Sequence, residues 1–477
     1  MALNNITTPI PADFAKSMVA LLGSQSEGDA LIESLEGESP VSIRINSKKG
    51  GEPGYDGITP VSWCDSGFYL SERPVFTLNP LLHAGCFYVQ EAASMIHSLL
   101  ARKCVEILGD RPLRVLDLCA APGGKTTAVI NALPNGSVVV ANEFSPQRAS
   151  VLKENLIKYG YPSVCVTNAD ATRFSESPDI ADIVIVDAPC SGEGMMRKEE
   201  TARSQWSEGL IKSCAALQRS ILEAAAVALR PGGILIYSTC TFNRSEDEDN
   251  VGYLINSHGL EAVSLRDISF PGLSGGLSGE DDVDGCVIRF FPHRVATEGL
   301  FVAMLRKPEG ETSTFVTTRK KENKRYKKGG GGSSSSSAGF IASARQWLQK
   351  PEDYDVISEG EMLRAVPAEL EQMVSALPKG IRILMEGVPL ARIKGKDIIP
   401  CHELALSTSL NPSSFPIVNL NEGEAITYLK REMVTLPEGT PKGFVIVAFK
   451  GFPLGFVKNL GTRCNNLYPA DYRIRMR

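Results

Sequence analysis

Between about residue 76 and residue 308, short apolar runs alternate with longer stretches whose apolar residues recur at helical spacing. The apolar runs predict strands at 113–118, 137–142, 163–167, 182–187 and 234–237. Helices fall between them. One opens at Ser145 as N-cap, has Pro146 in its first turn and runs to about Tyr159. Another covers 211–229 and stops at Pro231-Gly232-Gly233. Strand, turn and helix in repetition predict an α/β core with a doubly wound parallel sheet. The later runs 287–291 and 300–305 fit an antiparallel hairpin at the edge of that sheet.

The flanking regions follow other patterns. Residues 1–75 suggest a small α+β unit, with spaced apolar positions from Phe14 to Leu22. Within it, residues 41–46 alternate apolar and polar, as a half-buried strand does. Residues 309–340 form a basic, Gly/Ser-rich linker. Its core, 317–337, carries seven Lys/Arg followed by four Gly and five Ser, a composition that buries no core. The basic run serves either as a solvated tether or as an arm on phosphates. A first C-terminal domain is expected over 341–400, with helical patterns at 345–349 and 368–377. Residues 401–477 are β-rich, with 443–449 and 454–457 flanking the turn Gly451-Phe452-Pro453.

Charge sharpens this division. Residues 1–310 hold 26 Lys/Arg against 38 Asp/Glu, a net of −12; residues 311–477 hold 24 against 17, a net of +7. An acidic half joined to a basic half is what a catalytic unit attached to a polyanion-holding unit would show. The eleven cysteines are odd in number and form no CxxC pair, which points to free thiols in a reducing, cytoplasmic compartment. The five histidines are too scattered to suggest a metal site. There is no apolar run of about 18 residues to span a membrane and no signal-like N-terminus. Nothing in the pattern calls for more than a monomer.

Three turns carry the candidate chemistry. The first strand runs into Cys119-Ala120-Ala121-Pro122-Gly123-Gly124-Lys125, where glycines allow close approach and a helix start offers free N–H groups. Glu143 ends the next strand, placed to accept hydrogen bonds from ribose hydroxyls, and Asp170 follows the third strand, where it could meet an adenine amino group. A phosphate-binding Walker loop would need glycine where Cys119 stands, and the GxGxxG of dinucleotide folds is absent. A nucleoside cofactor without a phosphate chain, such as S-adenosylmethionine, fits best, against a purely structural turn. The other two turns each end in cysteine: Asp187-Ala188-Pro189-Cys190 and Tyr237-Ser238-Thr239-Cys240. In a parallel sheet all three turns meet at one edge. Two thiols beside a nucleotide-type pocket suit covalent chemistry on an electrophilic ring. Cys119, Cys165 and Cys214 read instead as small apolar fillers. The acidic run 245–250 reads as a helix opening whose charges complement the dipole.

With these motifs in order, the chain resembles the Nop/Sun class of RNA 5-methylcytosine methyltransferases. It is most similar to the bacterial RsmF (YebU) type that acts on 16S rRNA. The stretch from His83 to Met95 (HAGCFYVQEAASM) is a further match, and 455–469 looks like the end of a PUA-like domain. The resemblance implies a Rossmann-like S-adenosylmethionine-dependent core over 76–308, an RNA-recognition-like segment before it and a PUA-like RNA-binding domain over 401–477. It implies methylation of cytosine carbon 5 in 16S rRNA, in the decoding region and within the 30S subunit. It assigns the nucleophile to Cys240, help in product release to Cys190, the hold on the cytosine edge to Asp187 and support of the same pocket to Lys125. The cofactor would lie along Cys119, Ala120, Ala121, Pro122, Gly123, Gly124 and Lys125, with Glu143, Asp170 and Asp187. In DNA cytosine methyltransferases the Pro-Cys cysteine attacks, which would nominate Cys190; the Thr-Cys motif at 240 speaks against that. Arg463, Arg473, Arg475 and Arg477 are candidates for RNA phosphates or for surface solubility. The same chemistry on tRNA, or a non-catalytic RNA-binding assembly factor, are the competing expectations.

Overall fold

The computed structural model describes residues 7–51, 54–277, 283, 285–310 and 334–476; the basic run of the linker lies outside the described residues, as does Arg477. An N-terminal helical pair, Ala12–Leu22 and Gln25–Glu36, precedes a four-stranded sheet of β1 (Val41–Ile45), β2 (Thr59–Val61), β3 (Cys64–Leu70) and β4 (Phe87–Val89). The expectation of a half-buried strand at 41–46 needs correction. Ser42 and Arg44 are as buried as Ile43. One face of β1 packs into an apolar cluster that it shares with the C-terminal domain. The other face turns its polar side chains toward the next domain: Arg44 donates to Gln90 Oε1 (2.7 Å) and to Thr127 Oγ1 (2.6 Å). A polar strand face is thus buried because it is hydrogen-bonded across a domain boundary.

The central sheet contains β5 (Arg114–Asp117), β6 (Val138–Asn142), β7 (Val164–Asn168), β8 (Ala181–Asp187) and β9 (Leu229–Thr239), parallel and in the order β9-β8-β5-β6-β7. Their side chains are buried on both faces, as β6 shows at every position, so each apolar residue contributes about 1.5–3 kcal/mol. The antiparallel pair Val287–Phe290 and Leu300–Arg306 continues the sheet beyond β9, as its pattern predicts. The helix Pro146–Tyr159 is capped by Ser145 and ends at Gly160 in the left-handed conformation. The long helix observed at Glu208–Ala228 passes directly into β9 without the expected Pro-Gly-Gly turn. The reason is pairing: Gly232 N–H donates to Lys307 O and Lys307 N–H donates to Gly233 O, which draws this segment into the sheet.

Two further observations concern the C-terminal region. The strand Arg382–Glu386 leaves its neighbours and pairs antiparallel with β7, completing the central sheet's edge. The helix expected at 345–349 lies earlier, at Ser334–Arg345, reaching back into the serine run. A four-stranded sheet (Asp355–Glu359, Met362–Val366, Val388–Lys394, Asp397–Pro400) precedes a last one of Ile417–Leu420, Gly443–Phe449, Phe452–Asn459 and Cys464–Asn466. That last sheet shares its core with Ile43, Phe76, Leu81 and Phe87 of the N-terminal unit. Among the described residues no helix is long and apolar enough to cross a membrane.

Candidate active site

Chain order returns from β7 across the sheet to β8, so β5 and β8 are neighbours whose connections leave in opposite directions. A crevice opens at the carboxyl ends of strands at such a switch point. There the register sets Asp117 of β5 near Ile185 of β8, and Asp187 opposite Ser238 of β9. The three sequence-predicted turns therefore meet at one sheet edge.

The cofactor turn is held from both sides. Ala120 N–H donates to Asn142 O, while Arg148 and Asn155, both on the helix after β6, donate to Ala121 O (2.7 Å) and Pro122 O (2.8 Å). Tyr88 donates to the same Pro122 carbonyl from the N-terminal sheet. The Ala121–Pro122 peptide is cis and Gly123 has φ +107°, which only glycine adopts without strain. The helix Gly124–Ala132 that follows has no side-chain N-cap hydrogen bond, and its N-terminus points its first N–H groups toward the turn.

Acidic groups converge on this turn. Asp117 is 1% exposed; its Oδ2 accepts from Thr126 Oγ1 at 2.6 Å, but its Oδ1 has no hydrogen-bond partner among the described residues. Burial, with the charge of Asp187 adding to it, raises the Asp117 carboxyl to about 7. Glu143 is buried too, with Oε1 accepting from Ser145 N–H. Burial and the Asp117, Asp187 and Glu143 carboxylates together push the Cys119 thiol well up, which keeps it protonated. A cationic, hydroxyl-bearing ligand such as S-adenosylmethionine fits this cradle: the orphaned buried oxygen, the second buried acid and the glycine turn each supply what its amino, ribose and methionine parts require. Beside Glu143, the ring of Phe144 is 71% exposed, an unusual position for an aromatic. Asp170, by contrast, is exposed and caps the short helix Ala171–Glu176, accepting from Thr172 N–H (2.9 Å) and Oγ1 (2.8 Å).

Asp187 and Lys125 are brought together. The Lys125 ammonium sits 2.7 Å from Asp187 Oδ2, and Ser238 Oγ donates to Asp187 Oδ1 at 2.9 Å. Burial draws Lys125 down, but the Asp187 carboxylate more than offsets it and the lysine is held above its ordinary value.

Cys190 and Cys240 are neighbours, both half-buried, with their sulfurs 3.2 Å apart. The hydrogen bond to Cys240, reinforced by burial and by the Glu246 carboxylate, pushes the Cys190 thiol well above its usual range. Either sulfur can donate in that contact, and Cys240 lies within electrostatic reach of the Lys125 ammonium.

Behind the thiols lies a buried polar network that the sequence reading did not find. Glu193 Oε2 accepts from Thr241 Oγ1 (2.6 Å), Phe242 N–H (2.8 Å) and Asn243 N–H (3.0 Å); its Oε1 accepts from Trp206 Nε1 (3.0 Å). Glu246 Oε2 reaches the other way, accepting from Ser191 N–H (2.9 Å) and Gln218 Nε2 (2.7 Å). Arg289, 1% exposed, pairs with Glu248 (2.6 Å) and Asp247 (2.9 Å), while Asp247 Oδ1 accepts from Thr239 Oγ1 beside Cys240. The run 245–250 is therefore only partly a helix opening. Glu248 and Asp249 begin the helix Glu248–His258, whereas Glu246 and Asp247 are fully buried braces. The His83–Met95 motif supplies Gln90 and Glu91; Glu91 accepts from Ala93, Ser94 and Glu298 N–H groups, and its burial raises it. Among the described residues no group of three His, Cys, Asp or Glu is arranged to hold a metal.

Comparison with known proteins agrees across the chain. Residues 109–306 match the family model described as 16S rRNA methyltransferase RsmB/F, residues 10–92 the N-terminal domain of 16S rRNA methyltransferase RsmF and residues 415–474 the methyltransferase RsmF PUA domain. Ribosomal RNA small subunit methyltransferase F of Enterobacter sp. (strain 638) is 31% identical over 491 residues, covering 99% of this chain and 97% of its own length. A methyltransferase homologue from Pyrococcus horikoshii superposes with a TM-score of 0.50 at 25% identity, over 62% of this chain and 100% of its own. The P. horikoshii NSun6 structure solved with SFG shares the fold, at a TM-score of 0.53 and 21% identity, over 64% of this chain and 100% of its own.

Proposed function

This chain belongs to the RsmB/F family of 16S rRNA methyltransferases, and from that premise we propose that it methylates carbon 5 of a cytosine in 16S rRNA, within the 30S subunit, through Cys240 and Cys190. The observation that carries the reading is the pair of thiols 3.2 Å apart at adjacent strand ends beside the Lys125–Asp187 pair. S-adenosylmethionine is the cofactor, and when bound it supplies an electrophilic methyl group. Asp117, Glu143, Asp170 and the turn Cys119 to Lys125 would hold it, with the exposed Phe144 ring covering its base.

Carbon 5 of cytosine is a poor nucleophile. Cys240 as thiolate adds to carbon 6, which makes carbon 5 electron-rich. Asp187, positioned by Lys125 and Ser238, holds the amino edge of the ring, which selects cytosine over uracil. After carbon 5 is methylated, a water molecule takes its proton and the electron pair left behind expels Cys240 from carbon 6 as a thiolate. Cys190, its sulfur 3.2 Å from that of Cys240, assists that release. The base must leave any stack to reach thiols this deep. The basic C-terminal half, with Arg463, Arg473 and Arg475 exposed on the last domain, would hold the RNA by its phosphates.

The test uses labelled S-adenosylmethionine with 30S subunits from cells lacking the enzyme, naked 16S rRNA and tRNA. Labelled 5-methylcytosine in 30S subunits, absent with Cys240→Ala, is expected. Transfer to tRNA alone would overturn the substrate, label at another atom of the base would overturn the chemistry, and no transfer to any RNA would point to a binding factor.

A further inference from the structure

The turn that carries Cys190 does more than present a thiol. Three residues beyond it, Glu193 is fully buried and spends one carboxylate oxygen on three consecutive residues of the turn that carries Cys240: Thr241, Phe242 and Asn243. Next to it, Gly194 N–H donates to the Cys240 carbonyl at 2.9 Å. A side chain at 194 would stand 3.0 Å from that carbonyl and 2.8 Å from Glu298 O, so the two turns approach closely only because Gly194 is glycine. Four donors on one carboxylate is close to full occupancy for that group. Trp206 Nε1 fixes the remaining oxygen and so the direction from which Glu193 reaches. Further ties between the two turns are the thiol contact itself, the hydroxyl pair Ser191 with Thr241, Asn243 Nδ2 donating to Ser191 Oγ, and Glu246, which accepts from both Ser191 N–H and Asn243 Nδ2. Glu193 touches the backbone that carries the nucleophile and touches neither thiol.

We infer that Glu193 is a positioning residue for product release: it sets the separation of Cys190 from Cys240, and with it the step in which the adduct breaks down. The inference rests on the two-cysteine reading proposed above. Addition to carbon 6 needs only Cys240 and its approach to the ring. Breakdown needs Cys190 placed relative to a Cys240 that is now bonded to carbon 6, so it depends on the spacing between the turns. Loosening the Glu193 clamp therefore leaves bond formation nearly intact and slows bond breakage.

Wild type, Glu193→Ala, Glu193→Gln, Thr241→Ala, Ser191→Ala and Cys190→Ala are each mixed with 30S subunits from cells lacking the enzyme and labelled S-adenosylmethionine. Methyl transfer in the first turnover, steady-state turnover and the fraction of protein in a denaturation-resistant RNA adduct are read together. Glu193→Ala is expected to raise the adduct about tenfold and to lower steady-state turnover by a similar factor, with first-turnover transfer within about threefold of wild type. Glu193→Gln rescues, staying within about threefold throughout, because its amide oxygen can replace Oε2 and only the Trp206 contact is lost. Thr241→Ala removes one donor to Glu193 and also the Ser191 pair, so it is read against Ser191→Ala, which removes that pair but not the Glu193 contact; an adduct about threefold above that of Ser191→Ala decides the matter if Glu193→Ala does not fold. Adduct at the wild-type level in Glu193→Ala, or at the Ser191→Ala level in Thr241→Ala where the former is unfolded, overturns the inference. So does a first-turnover loss as large as the steady-state loss. Cys190→Ala separates the two failures. If it accumulates adduct and Glu193→Ala does not, only the role of Glu193 falls; if it accumulates none, the two-cysteine reading falls and takes this inference with it.

Discussion

The two sides of the crevice are finished to different degrees. On the cysteine side, Glu193 and Glu246 have their oxygens engaged and Arg289 is paired with two acids. On the cofactor side, four buried polar atoms lack hydrogen-bond partners among the described residues, Asp117 Oδ1, Gln90 Nε2, Arg44 Nη1 and His97 Nε2; in the cysteine-side network Asp247 Oδ2 also lacks one but faces the Arg289 guanidinium at 2.9 Å. An unpaired buried polar group costs free energy unless something later supplies its partner. The cofactor side is therefore built to be completed by a ligand. The cysteine side has its bracing bonds in place without a ligand, so in the proposed reaction its geometry would need little reorganisation.

The first way to break this contrast is to unpair the braced side. Arg289→Met leaves Asp247 and Glu248 buried without their cation, and removing one partner of a buried pair costs about 3–5 kcal/mol. Chemical denaturation should show a loss of that size, whereas replacing all three residues with apolar ones should recover most of it.

The second intervenes on the unfinished side. Asp117→Asn should weaken cofactor binding by about ten- to a hundredfold, measured by calorimetry, as expected for losing a hydrogen bond to a charged group. The wild-type affinity should also depend on pH. Burial raises the Asp117 carboxyl from 3.8 to about 7 in the free protein. Ionising it opposes folding, so this group makes the free protein less stable as pH rises from about 4 through about 7. A cationic ligand needs the ionised form, so affinity should fall about tenfold per pH unit below 7, level off above it and lose that slope in Asp117→Asn. A pH-independent affinity would remove Asp117 from the cofactor's partners.

The smallest expected effect lies between the two regions. Arg44→Ala removes the ties from β1 to Gln90 and Thr127 and should cost about 1–3 kcal/mol, with a modest rise in the cofactor's dissociation constant and little change in first-turnover methyl transfer.

The same division governs what could be read from the sequence. Apolar runs and glycine turns are local, so the parallel strands, the cofactor turn and the two cysteine motifs were visible in the pattern. The bracing network was not, because its members lie far apart in the chain and meet only through the sheet. Glu246 and Asp247 read as helix-opening acids that complement the dipole, and only their 0% exposure shows them as buried braces. Asp117 carried a faint signal, an acid closing a strand right after the apolar pair Val115-Leu116. Arg44 looked like the wet face of a half-buried strand because the domain that covers it could not be seen. The edge strand Arg382–Glu386 was lost for a similar reason: its pairing partner is β7, which lies in a different predicted domain.

The most direct test of the account traps the adduct. Cys190→Ala and the Cys190→Ala/Cys240→Ala double variant would be incubated with labelled 30S subunits and S-adenosylmethionine, then resolved under denaturing conditions. The account predicts a protein–RNA adduct in the single variant and none in the double. An adduct that survives loss of Cys240, or methylation that proceeds without it, would contradict the assignment of Cys240 as the attacking thiol.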